Sequence, residues 1–176
     1  LSRCQTVRFD NLPAHFVRDE LQRTAADLTP QHVDWYAEYA CGSLGEALQA
    51  ARDNLHTLHE LVTAPVANIA FDAAGMKAIR NGVWPEDAIK AWTSAADTLA
   101  ESYAERDRDL SDTEAKRRGL VTVLRLIAMY YRGRLHKAVA IPAAVDGLLT
   151  SVERVARTQT QLEFNANTGL CIEALA

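Results

Sequence analysis

The sequence predicts an all-α protein: a small three-helix unit followed by a four- to five-helix bundle, with a short strand remnant at the N-terminus. Three observations predict it. Apolar residues recur at three- and four-residue spacing along most of the 176 residues. Glycine is scarce, with 8 residues, while alanine is abundant, so few helical stretches are interrupted. Hydrophobic residues make up 48% of the chain, enough for a chain of this length to bury a core without disulfide or metal staples.

The opening Gln5–Asp10 alternates, with Val7 and Phe9 on one face, and reads as the tail of a strand. A lone strand cannot pair itself, and the first residue is Leu1, so the chain is expected to begin inside a longer protein. Pro13 opens a first helix that places Phe16 or Val17, Leu21, Ala25 and Leu28 at helical spacing. Thr29 is suited to cap a second helix, with Pro30 in its first turn. Val33, Tyr36, Ala37, Ala40 and Cys41 form its stripe, and Gly42 ends it. A third helix is expected from Ser43, carrying Leu44, Ala47, Leu48, Ala51, Leu55, Leu58 and Val62 on one stripe. Residues 11–64 thus form the three-helix unit.

Pro65, Gly75, Asn81 and Gly82 punctuate residues 65–83, which read as a linker holding a short helix at most. The bundle is expected over 84–176. Ile89, Trp92, Ala96, Leu99 and Tyr103 mark its first helix, and the charged stretch Glu101–Asp112 a solvated end and turn. Ser111-Asp-Thr-Glu114 fits a capping box. Leu120, Val123, Leu124, Ile127, Tyr131, Leu135 and Ala138 follow on the next helix. Pro142 starts another, with Val145, Leu148, Leu149, Val152, Val155 and Leu162. Asn165-Ala-Asn167 breaks it, and Asn167 or Thr168 caps a final short helix.

Function is constrained first by charge. A formal net charge of −4 argues against a dominant grip on DNA, which needs clustered cations. Cys4, Cys41 and Cys171 are few, odd in number and far apart, so a reducing, cytoplasmic setting is expected. No apolar run has the length to cross a bilayer. No Walker A motif is present to hold nucleotide phosphates. His56 and His59 lie three apart beside Glu60, a spacing that puts two imidazoles on one helix face. No third ligand has a recognisable spacing, so a surface or edge-of-core pair is preferred and no metal is expected. Lys116, Arg117, Arg118, Arg125, Arg132, Arg134 and Lys137 make one helix basic with no acid between them. They could track a nucleic-acid backbone, or complement the acidic stretch before them. The aromatics Trp35, Tyr36, Tyr39, Trp84, Trp92, Tyr130 and Tyr131 fall on or near apolar stripes and read as core.

Leu1-Ser-Arg-Cys-Gln-Thr-Val-Arg-Phe9, followed by Leu12-Pro13, resembles the segment that leaves the AAA+ core in bacterial clamp-loader subunits. Gly42-Ser-Leu-Gly-Glu-Ala-Leu48 is similar to the start of their second-sensor helix. Asn165-Ala-Asn167 with Leu170 and Glu173-Ala-Leu175 resembles the closing helix of their collar domain, although Thr168 stands where relatives often have Pro. ATP-hydrolysing γ/τ subunits usually carry Arg where this chain has Gly45, which is similar to the non-hydrolysing δ′ type of DNA polymerase III.

The resemblance implies that residues 1–10 end an AAA+ core, 11–64 form the lid and 84–176 the collar. It implies a stator role in DNA replication, assembled with γ/τ and δ and serving, indirectly, the sliding clamp and primed DNA. Arg3 would be an arginine finger offered in trans to ATP on a neighbouring subunit, with Ser2 and Cys4 holding the backbone around it. Gly42, Ser43 and Gly45 complete the motif residues. This chain by itself would hold no cofactor and catalyse nothing. The alternatives are a γ/τ-like ATPase with a diverged sensor, and an unrelated helical module that grips nucleic acid through residues 116–137.

Overall fold

The computed structural model describes residues 10–67, 84–138 and 142–163, and of 142–144 and 163 the backbone alone. All regular structure among the described residues is α-helical. The helices are α1 (Ala14–Thr24), α2 (Pro30–Ala40), α3 (Leu44–Arg52), α4 (Leu55–Ala67), α5 (Glu86–Arg106), α6 (Asp112–Ala138) and α7 (Pro142–Glu163). The chain divides into two compact units, Leu1–His56 and Thr57–Ala176, so the division falls within the first turn of α4. The strand read at 5–10, apart from the irregular Asp10, and the last helix read after Asn167 lie outside the described residues.

In the first unit α1, α2 and α3 pack on one another. Val17 and Leu21 of α1, Val33, Tyr36, Ala37 and Ala40 of α2, Ala47 and Ala50 of α3, and Leu55 are buried together as its apolar core. Thr29 caps α2 as its sequence suggests: the His32 amide donates to Thr29 Oγ1 at 3.3 Å, with Pro30 following in a position where no amide donor is needed. Phe16 stays 42% exposed, because Val17 takes the inward position. Cys41 is not part of the α2 stripe. It is exposed, in the left-handed region (φ 48°), where the chain turns out of the helix.

The single third helix expected from Ser43 to Val62 is two helices. The chain leaves α3 at Asp53 and adopts φ 50° at Asn54 before α4 begins. Asparagine tolerates this conformation better than most residues. The turn is closed by the Asp53 amide on Gln49 O (3.0 Å) and the Asn54 amide on Ala51 O (3.1 Å). The apolar stripe runs through the break, because Leu55 is buried at its far side. The helix that follows includes Pro65, whose missing amide leaves the Leu61 carbonyl without its usual helical donor.

In the second unit α6 packs against both α5 and α7. Trp92, Leu99 and the alanines 88, 95, 96 and 100 of α5 are buried, as are Leu120, Val123, Leu124, Leu126, Ile127 and Tyr131 of α6. Leu148, Val155 and Leu162 are the buried side of α7, and its buried Ser151 donates to Gly147 O at 2.9 Å. Trp92 fixes the body of α4 to this core by donating from Nε1 to Val62 O at 2.8 Å. Helices α5 and α6 come together through small residues. A Cβ on Gly119 would lie 2.3 Å from Ala96 O, a separation that no side chain can occupy. Ser111 caps α6 through the Glu114 amide (3.3 Å). The Glu114 carboxylate turns instead to Arg117 (2.7 and 2.8 Å) and Arg118 (2.9 Å).

Candidate functional site

The motif residues that the structure describes gather at the head of α3. Gly42 has φ 90°, which favours glycine. Its position also leaves no room: a Cβ there would meet Asn11 Cβ and Leu12 O, each at 2.7 Å. The Leu12 amide donates to Gly42 O at 2.9 Å, so Gly42 ties the entry segment to the α2–α3 turn. Ser43 is extended (φ −96°, ψ 105°), and its Oγ accepts from the Glu46 amide at 3.3 Å. Gly45 differs from Gly42. No heavy atom lies within 4 Å of a Cβ built on it. Steric fit therefore does not require glycine at 45, and a long side chain would have space to leave the helix there. The first turn, Leu44-Gly45-Glu46-Ala47, carries one carboxylate and no cation. Glu46 complements the helix dipole at this end and disfavours an anion in the same place. Ser2, Arg3 and Cys4 lie outside the described residues.

His56 and His59 have different ring neighbours. The His56 ring lies 4.5 Å from His32 and 5.3 Å, edge-on, from Trp35. The His59 ring lies 6.5 Å from Tyr130. Among the described residues no group of three or more His, Cys, Asp or Glu side chains is placed to hold a metal ion. The contact between His32 and His56 is not readable in the sequence, because it joins residues 24 positions apart with the whole of α3 between them. In the same cluster Trp35 stacks on Tyr39 (5.5 Å, 9°), and burial raises the Tyr36 hydroxyl above the ordinary tyrosine range while the His56 backbone amide opposes the shift.

The remaining aromatics build the core of the second unit. Trp84 lies edge-on to Trp92 at 5.3 Å and 6.0 Å from Tyr131, which lies 5.4 Å from Tyr130. Neither the Tyr130 nor the Tyr131 hydroxyl, both buried, finds a hydrogen-bond partner among the described residues. Burial, and then the neighbouring Tyr130, push the Tyr131 hydroxyl strongly upward, so it stays neutral at any physiological pH.

The basic helix of the sequence is α6. Of its cations, Lys116, Arg118, Arg132 and Lys137 are exposed. Arg117 and Arg118 share Glu114 on their own helix, a pairing that holds its carboxyl down at about 2. The Arg134 guanidinium lies 5.8 Å from the Tyr130 ring centre. Between α5 and α6 runs an open groove of about 380 Å³, with Ala100, Ala104 and Ala115 in its walls and Asp97, Glu101, Asp112 and Lys116 around them. The signal for it in the sequence is the alanine spacing on α5, which is legible only once Gly119 is known to face that helix. No family model, curated protein or solved structure matches this chain.

Proposed function

We propose that the chain is the lid and collar region of a bacterial clamp-loader subunit of the δ′ type, a scaffold that assembles with γ/τ and δ subunits in DNA replication. The observation that carries the reading is the ordered series of motifs, Ser2-Arg3-Cys4, then Gly42-Ser43-Leu44-Gly45, then Asn165-Ala166-Asn167, spread over the length of the chain. The head of α3 supports the non-hydrolysing type. Its cap at Ser43 is formed and the space before Gly45 is open, yet the side chain that would sense a nucleotide is not there. In this reading Arg3 is supplied in trans to ATP on a neighbouring γ/τ subunit, where its guanidinium offsets charge developing on the transferred phosphoryl group. In the same reading the collar, residues 84–176, is the part that joins the ring.

The test is ATP hydrolysis by the reconstituted loader. Arg3→Ala in the intact subunit should lower turnover at one site by at least about 10³-fold, as loss of an arginine finger does elsewhere. Gly45→Arg should leave the fold intact. Unchanged turnover by Arg3→Ala would remove the in-trans role.

A further inference from the structure

The outer face of α6 carries an arrangement that the assembly reading does not use. Arg118, Arg125 and Arg132 follow one another at seven-residue intervals, so they stand in one row, about 10.5 Å apart and about 21 Å from end to end. Arg118 and Arg132 are exposed and Arg125 is half-buried. His136 is exposed one turn beyond Arg132, on the same side. The opposite side of the helix holds Leu120, Val123, Leu124, Ile127 and Tyr131 and is buried. The row therefore points away from the core of its unit.

We propose that this row is a contact for the sugar–phosphate backbone of nucleic acid, made without reading bases. Four features favour that occupant. Residues 115–145 contain 7 Lys and Arg and no Asp or Glu, in a chain whose formal net charge is −4, so positive charge is concentrated on this helix while the rest is acidic. All three row positions are arginine, whose planar fork engages phosphate oxygens bidentately. Val121, Thr122, Ala128 and Met129 lie beside the row, half-buried, and Gly133 lies next to Arg132 with open space around it, so the backbone can approach closely. The face offers no Asn or Gln for base edges. Glu114 neutralises part of the charge at the Arg118 end and leaves the Arg132 end dominant. This inference does not rest on the clamp-loader reading, since it concerns the chain acting alone.

The experiment is fluorescence anisotropy of this chain with a labelled 24-base-pair duplex of arbitrary sequence, titrated at several salt concentrations. Weak binding is expected at low salt, with a slope of about −2 to −3 in log affinity against log salt for two to three phosphate contacts. Arg132→Glu should weaken binding at least about 10-fold and reduce the slope by about one. Arg23→Glu, an equal charge change at an exposed position of α1, should alter affinity less than twofold, with circular dichroism showing both variants folded. No binding at low salt would overturn the proposal, and so would equal weakening by Arg132→Glu and Arg23→Glu. Competition by polyglutamate as effective as that by DNA would also overturn it, and would assign the row to an acidic protein.

Discussion

The close approach of α5 and α6 at Gly119 gives the sharpest test of the packing. Gly119→Ala adds one methyl group at a point 2.3 Å from Ala96 O, with Ala100 N at 3.2 Å. Both neighbours are backbone atoms and cannot rotate away. Reaching ordinary contact requires the helices to separate by roughly an ångström, and overpacking of this kind costs about 1–3 kcal/mol. The substitution also gains about 1 kcal/mol, because glycine is the weaker helix former. The clash offsets this gain, and a net loss of up to about 2 kcal/mol is expected. Gly133→Ala is the internal control on the same helix: nothing lies within 4 Å of its Cβ, so only the gain of up to about 1 kcal/mol remains. Thermal unfolding followed by tryptophan fluorescence reports on the unit through buried Trp84 and Trp92. At about 2–4 °C per kcal/mol the two variants should fall on opposite sides of the parent. If Gly119→Ala raises the midpoint as Gly133→Ala does, the crossing is wrongly described.

Three further outcomes follow from the same geometry. Gly42→Ala should destabilise the first unit by about 1–3 kcal/mol in urea unfolding, since it combines φ 90° with contacts of 2.7 Å to Leu12 O and Asn11. Tyr131→Phe removes a buried hydroxyl that has no partner among the described residues, and should be neutral or stabilise by about 1 kcal/mol in the same assay. The Glu114 carboxyl, held at about 2 by Arg117 and Arg118, contributes stability that is full above its ordinary value near 4.5 and is lost as pH falls toward 2. With the pair partly solvated this is worth about 1 kcal/mol or less, and Glu114→Gln should flatten that part of the stability profile.

Local chemistry was legible in the sequence and through-space chemistry was not. Thr29 and Ser111 each read as helix caps and each accepts the amide three residues on, because capping is decided within one turn; Ser43, read only as the start of a helix, does the same. The break at Asp53-Asn54 was missed, since the apolar period passes through it without a change of phase and only the backbone at Asn54 records it. The inward place of Val17 over Phe16 was one of two options until α2 and α3 were in position. Gly119 gave no signal of its own, because its need for glycine comes from Ala96 on another helix. At the candidate site the sequence pointed to Gly42 and Gly45 alike. The structure separates them: the first is required by packing, and the second is open to any side chain.

The proposed role in a clamp loader is tested most directly by mixing this chain with γ/τ and δ subunits and following the mixture by size-exclusion chromatography. The account predicts one stable peak containing all three, with the contacts supplied by residues 84–176. Elution of this chain alone, beside γ/τ and δ subunits that assemble with an intact δ′ in the same buffer, would contradict it.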